Sequence, residues 1–164
     1  MSSINFSNPT TILLALGILA FILFRQMQAS PMNPRRLLLI PALLAYGTLQ
    51  YMPALSGIDV IGATLAVVGV AAGLVLGALR GLSIRTWTAA DGTAWTQGTR
   101  TTLALWGFLI AFRIAMAIVD RLFGLGTQAM LAEMLMTLFA TFAAQNLVTW
   151  LRAGGGLTLA AVRE

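Results

Sequence analysis

Two charged side chains lie inside otherwise apolar segments of this sequence. Arg113 comes twelve residues after Thr101, where one apolar segment begins, and Glu133 comes five residues after Gln128, where the next begins. The twelve residues from Thr101 to Arg113 correspond to about 18 Å of helix rise. If the two segments form adjacent antiparallel helices, Arg113 and Glu133 therefore lie at nearly the same depth in the membrane. A charge at such depth costs about 2.5–3.5 kcal/mol and commonly marks a bundle interior or a water-filled cavity. The two residues can bind an anionic headgroup, relay a proton, or form a structural ion pair that fixes helix register.

Asp120 is the third residue of this candidate site. It follows Arg113 by seven residues, which is about two turns of the same helix. We expect Arg113 to face the interior of a bundle and to pair with Glu133 or with Asp120, because exposure to lipid is costly and the aqueous surface is too distant for its side chain. The residue types leave open whether the site is structural or binds a ligand.

The residue types that are missing exclude several classes of chemistry. The chain has no Cys, His or Lys. It therefore lacks thiolate redox chemistry, the usual haem and zinc ligands, and a lysine that could hold retinal as a Schiff base. No nucleotide-binding loop, metal cluster or catalytic triad is recognisable, so the sequence predicts no cofactor, no metal site and no catalytic residue.

The composition is that of a membrane protein. Apolar residues make up 59% of the chain and charged residues 9%, whereas a soluble domain carries about 25% charged residues. The formal charge is +5, and the basic residues are arginines, mostly placed singly between apolar segments. This spacing fits anionic lipid headgroups and not a nucleic acid. We therefore expect membrane lipids among the partners.

Five apolar segments predict an all-α, polytopic membrane bundle of five transmembrane helices, formed as a single domain over residues 1–164. The clearest segment, Val60–Leu79, has twenty residues without a charge, and about 20 apolar residues are needed to cross a bilayer. The predicted spans cover approximately residues 9–24, 37–52, 60–79, 101–123 and 128–151.

The third span carries a glycine at every fourth position, in the manner of a glycine zipper. The series consists of Gly69, Gly73, Gly77 and Gly81. Such a stripe lets another helix backbone approach closely. It predicts either a packing face within one chain or a face for a second copy, as in a homodimer.

A polar insert between the third and fourth spans predicts a short β-hairpin. Asp91-Gly92 is a strong turn signal, and alternating β-forming residues flank it on both sides. Trp87 and Trp95 are expected to lie across the hairpin from each other or to anchor it in the headgroup layer.

The distribution of arginines predicts the orientation. With five spans, one side of the membrane receives most of them, namely Arg25, Arg35, Arg36, Arg80, Arg85, Arg100, Arg152 and Arg163. The other side receives Arg121 together with Asp59 and Asp120. The positive-inside rule then places the N-terminus outside, and the hairpin and the C-terminus in the cytoplasm.

A series of short motifs resembles a known family. The series comprises Pro34-Arg35-Arg36 before an apolar segment with Pro41, then Gly77-Ala78-Leu79-Arg80-Gly81, Asp91-Gly92, Thr102-Leu103-Ala104-Leu105-Trp106 and Arg113. In this pattern the chain resembles the CcdC-like family of small bacterial inner-membrane proteins. The resemblance implies a small multi-span bundle in the bacterial cytoplasmic membrane and supplies no catalytic residues. The family's name implies a link to cytochrome c maturation, for which this chain has neither Cys nor His.

Three functions are compatible with these features. The first is a non-enzymatic accessory or assembly protein that binds a partner membrane protein, or its own copy, through helix faces. The second is a small transporter or a protein that binds a lipid or small ligand at Arg113 and Glu133. The third is an intramembrane enzyme with Asp or Glu as acid or base. A wide cavity that reaches Arg113 would favour ligand handling, and a packed core would favour the accessory role.

Overall fold

The computed structural model describes residues 24–154. Within this range the protein is mostly helical, and four helices are long and apolar enough to cross a membrane. They are α1 (Pro34–Tyr51), α2 (Val60–Ser83), α3 (Arg100–Leu122) and α4 (Thr127–Arg152). These helices correspond to the second to fifth predicted spans. The first predicted span, residues 9–24, lies outside the described residues except for its last position.

Polar side chains cap the first turns of α1 and α2. Asn33 accepts a hydrogen bond from the backbone amide of Arg35 at the start of α1. Asp59 accepts one from the amide of Gly62, at 2.8 Å, at the start of α2. Each cap satisfies one of the amides that the first turn of a helix leaves unpaired. α1 then continues into a short 3-10 helix, Met52–Leu55.

α2 is longer than the uncharged segment that predicts it, because Arg80 and Gly81 continue the helix to Ser83. The guanidinium of Arg152 donates hydrogen bonds to the carbonyls of Gly81, Leu82 and Ile84. These contacts satisfy carbonyls that the end of a helix would otherwise leave without partners. They also tie the end of α4 to the end of α2.

The polar insert between α2 and α3 forms two antiparallel strands, β2 (Arg85–Thr88) and β3 (Ala94–Gln97). Gly92 in the turn has a φ of +80°, a conformation that glycine adopts without steric cost. The backbone amide of Thr93 donates to the Asp91 carboxylate at 2.9 Å, and hydrogen bonds from Thr93 lower the pKa of this exposed carboxyl.

A third strand completes the sheet, which the sequence does not predict. β1 (Ser30–Pro31) pairs with β3, so the strand order is β1-β3-β2. Pro31 reads as a breaker in the sequence, but a proline is tolerated in an edge strand because one side of the edge needs no hydrogen bonds. The sheet lies where α1 and α3 begin and α2 and α4 end, and we call this the sheet end of the bundle.

α2 and α4 form the closest helix pair, while α1 packs on α4 and α3 on α2. All four glycines of the series in α2 are buried. A Cβ atom at Gly73 would lie 2.7 Å from the carbonyl oxygen of Thr137, and one at Gly81 would lie 2.8 Å from that of Gln145. The glycines therefore let the two backbones approach more closely than any side chain would allow.

Candidate functional site

The two charges that the sequence singles out meet between α3 and α4. Nη1 of Arg113 lies 2.9 Å from Oε1 of Glu133. The side chain of Arg113 is 14% exposed and that of Glu133 is 1% exposed. The structure thus shows a buried, hydrogen-bonded ion pair, of the kind that is costly to break by removing one partner.

The surroundings of Glu133 are tightly packed. Its Oε1 atom also accepts a hydrogen bond of 3.0 Å from the hydroxyl of Thr137, one turn along α4. On the other side lies Gly69 of α2, where an added Cβ would overlap Oε1 of Glu133 and lie 2.8 Å from the Thr137 hydroxyl. Because Gly69 has no side chain, the carboxylate of Glu133 fits into the space beside it.

Asp120 is as deeply buried as Glu133 but is not the partner of Arg113. It is 0% exposed, and neither of its carboxylate oxygens has a hydrogen-bond partner within residues 24–154. Oε2 of Glu133 also has no partner in that range. When both acids are ionised, the cluster of Arg113, Glu133 and Asp120 carries one negative charge in excess.

The cluster is separate from the three cavities that we describe. One is an apolar groove of about 420 Å³ between α1 and α4. The other two are clefts of about 130 and 180 Å³ at the sheet end, with both polar and apolar lining residues. Arg113, Glu133 and Asp120 line none of the three. The carboxylate of Glu133 is instead packed closely against Gly69 and Thr137.

The glycine series has a clear place in the fold. Each of Gly69, Gly73, Gly77 and Gly81 faces α4, where its closest neighbours are Glu133, Thr137, Thr141 and Val148. Of the two alternatives from the sequence, packing within one chain is the one that this structure uses. The same face is covered by α4 and is not open to a second copy.

The two hairpin tryptophans lie opposite each other. Trp87 and Trp95 are register partners on β2 and β3, with ring centroids 6.3 Å apart and planes 20° from parallel. Stacked aromatic pairs of this kind stabilise neighbouring strands. Their role as an anchor in the headgroup layer stays a prediction.

Arg80 is a buried charge that the sequence interpretation assigned to a membrane surface. It is 0% exposed, and its guanidinium carbon lies 4.0 Å from the ring centroid of Trp106 and 5.5 Å from that of Phe142. None of its three guanidinium nitrogens has a hydrogen-bond partner among the described residues. Its spacing of three and seven residues from Gly77 and Gly73 is the signal that would have placed it on the inner face of α2.

The sequence interpretation did not identify a second row of small residues, which is exposed in the structure. On α3 it consists of Ala104, Gly107, Ala111 and Ala115, all exposed. A Cβ atom at Gly107 would meet none of the described residues within 4 Å. The spacing Gly107-x3-Ala111-x3-Ala115 repeats every fourth residue, as in helices that associate closely in membranes. We call these four residues the α3 face.

Fold and sites together define a helical protein with four helices suited to a membrane, a buried ion pair and a small sheet at one end. No protein-family model, curated protein or solved structure matches the chain.

Proposed function

We propose that this protein is a non-enzymatic integral membrane protein of accessory or assembly type, which binds a partner membrane protein or a second copy through a helix face. The observation that carries this proposal is the deep burial of the two acids of its charged cluster. Glu133 and Asp120 are 1% and 0% exposed, and the cluster lines none of the cavities described above. A buried ion pair in a packed core suits a role in helix register better than a role in ligand passage.

The α3 face supports association as the activity. In lipid, helices associate through van der Waals packing and close backbone approach, because the acyl chains are as apolar as the side chains. Rows of small residues favour this approach. The glycine stripe of α2 is covered by α4, whereas the α3 face is exposed along Ala104, Gly107 and Ala111.

The substitution Gly107→Leu tests this face. We expect it to remove the larger assembly that the protein forms when it is released from membranes in mild detergent, because the leucine side chain holds the partner helix away. Native mass spectrometry measures the assembly. The matched control is Ala71→Leu, at an exposed alanine of α2, which should leave the assembly intact. A parent protein that is purely monomeric, or a Gly107→Leu variant that assembles like the parent, would contradict the proposal.

The location that we propose is the bacterial cytoplasmic membrane, with the N-terminus outside and the C-terminus in the cytoplasm. The resemblance to the CcdC-like family supports the location. The arginines support the orientation, because Arg25, Arg85 and Arg152 belong to segments that meet at the sheet end.

Reporter fusions test this orientation. A phosphatase that requires the periplasm should be active when it is inserted at Gly57 and inactive when it is fused after Glu164, because the positive-inside rule keeps the arginine-rich end in the cytoplasm. A cytoplasmic reporter at the same two positions provides the control. The reverse pattern of activities would show that the orientation is wrong.

A second candidate function is ligand or proton handling at Arg113 and Glu133. The observation in its favour is the excess carboxylate, since both oxygens of Asp120 and one of Glu133 have no partner among residues 24–154. The substitution Asp120→Asn separates the two candidates. A loss of transport or ligand binding with unchanged assembly would favour the second function over the first.

A further inference from the structure

The three cavities adjoin each other at the sheet end of α1 and α4. Leu37 of α1 and Asn146 of α4 line all three of them. Asn146 also joins the two helices, because its Nδ2 atom donates a hydrogen bond of 2.6 Å to the carbonyl oxygen of Leu37. The apolar groove and the clefts therefore lie side by side with the Leu37–Asn146 contact between them, and we call them together the depression.

The groove side of this depression is apolar. It has a volume of about 420 Å³, which is within the range of ligand pockets. Pro41 from α1 and Ala143, Leu147 and Trp150 from α4 line it, and Asn146 is its one polar lining residue among those described. Both helices are membrane-length, so this side suits a hydrocarbon chain.

The cleft side has polar and apolar lining residues, and no acid is among those described. Its two parts share Gln26, Ser30, Thr96 and Gln145, and the smaller part also includes Arg25. Gln145 is 6% exposed, and its side-chain oxygen has no partner within residues 24–154. The NH2 group of the same carboxamide can donate to a ligand.

Arg80 adds positive charge behind the clefts. Its guanidinium packs against Trp106, whose indole N–H donates to Oε1 of Gln26, and against Phe142, which lines the larger cleft. One layer of side chains thus separates this buried cation from the depression. The described acids lie elsewhere, at the hairpin turn, at the start of α2 and in the Arg113 cluster. No described carboxylate offsets Arg80, so the clefts favour a negative group.

We infer that this depression binds an anionic phospholipid, with the phosphate of the headgroup in the clefts beside Arg25 and Gln145 and one acyl chain in the groove. A zwitterionic lipid offers the same chain but lacks the net negative charge that complements Arg25 and Arg80. The inference is independent of the α3 face, which lies on another helix and does not contribute to the depression.

The test is a lipid titration of the delipidated full chain in detergent, read by native mass spectrometry. Phosphatidylglycerol should bind at least about tenfold more tightly than phosphatidylcholine, because both lipids carry the phosphate but the choline cation of phosphatidylcholine is repelled by Arg25 and Arg80. Equal affinity for the two lipids would overturn the inference. Displacement of phosphatidylglycerol by an equal concentration of inorganic phosphate would also overturn it, because the occupant would then be a free anion.

Matched variants locate the site. Arg25→Gln should weaken phosphatidylglycerol binding by about tenfold. Arg35→Gln removes the same charge from an exposed residue near the same end that lines none of the three cavities, and it should leave binding unchanged. Equal losses in the two variants would show a general surface-charge effect and overturn the site.

A second measurement does not depend on affinity. Leu147 lines the groove and is 56% exposed, so a photo-crosslinking amino acid at this position reports the occupant in intact membranes. The expected adduct has the mass of an anionic phospholipid. An adduct with another segment of this chain, or with a second protein, would show that a polypeptide fills the groove and would overturn the inference.

Discussion

Gly77→Ala should destabilise the bundle strongly, although alanine is the better helix former. A Cβ atom at this position would lie 2.9 Å from both the Cα and the carbonyl carbon of Thr141 and would overlap its carbonyl oxygen. These are backbone atoms of α4, which cannot rotate away as a side chain can, so the two helices must move apart. Overpacking of a core typically costs about 1–3 kcal/mol, and we expect a loss at or above the upper end of that range.

Thermal melting in detergent, followed by circular dichroism, measures this loss. The matched control is Gly47→Ala, at a helical glycine of α1 where the added Cβ would make an ordinary contact of 3.4 Å with the Leu135 side chain. This variant should gain about 0.5–1 kcal/mol from helix propensity alone. If Gly77→Ala melts at the temperature of the parent protein, the close approach of α2 and α4 is wrong.

Arg113→Ala should produce the second large effect. The substitution leaves Glu133, which is 1% exposed, without its charged partner. Breaking a buried pair in this way typically costs about 3–5 kcal/mol, because the remaining charge is neither hydrated nor compensated. The double variant Arg113→Ala with Glu133→Gln should recover part of the loss, since the orphaned charge is then removed.

Melting in lipid nanodiscs as well as in detergent measures this effect. Arg121→Ala is the control, because Arg121 is an exposed arginine on the same helix and exposed charges contribute little. Unchanged melting of Arg113→Ala in both media would show that the ion pair does not stabilise the fold. If melting is unchanged but a co-purifying ligand is lost, the pair belongs to a binding site.

The parts of the fold that local sequence determines were predictable. The run Val60–Leu79 is long and uncharged, so it specifies a membrane-length helix without reference to the rest of the chain. Asp59 caps that helix because an acceptor is needed at its first turn. Matched depths in two antiparallel helices were also enough to bring Arg113 and Glu133 into one site, since such helices keep their depth when they pack.

The parts that depend on distant contacts were not predictable. β1 is defined by pairing with β3, and their register partners Ser30 and Thr96 are 66 residues apart in the chain. Because proline is disfavoured within strands, the local sequence around Pro31 does not predict β1. The burial of Arg80 depends on which face of α2 meets Trp106 of α3. In the sequence, the position of Arg80 near the end of an apolar run is equally compatible with a side chain that reaches the membrane surface.

The α3 face illustrates a different limit. The spacing of its small residues is visible in the sequence, and so is the spacing of the glycines in α2. Neither pattern indicates whether the helix that packs on it belongs to the same chain or to another protein. The fold distinguishes the two rows, because α4 covers Gly77 while Gly107 is left exposed.

Photo-crosslinking in intact membranes tests association through the α3 face most directly. A photo-crosslinking amino acid at Ala111 samples this face, and one at Val75 samples an exposed position of α2 that lies outside it. If the protein acts by helix association, Ala111 will give a discrete adduct with a second copy or with another membrane protein, while Val75 will give adducts with lipid. Adducts with lipid alone at both positions would contradict the proposed function.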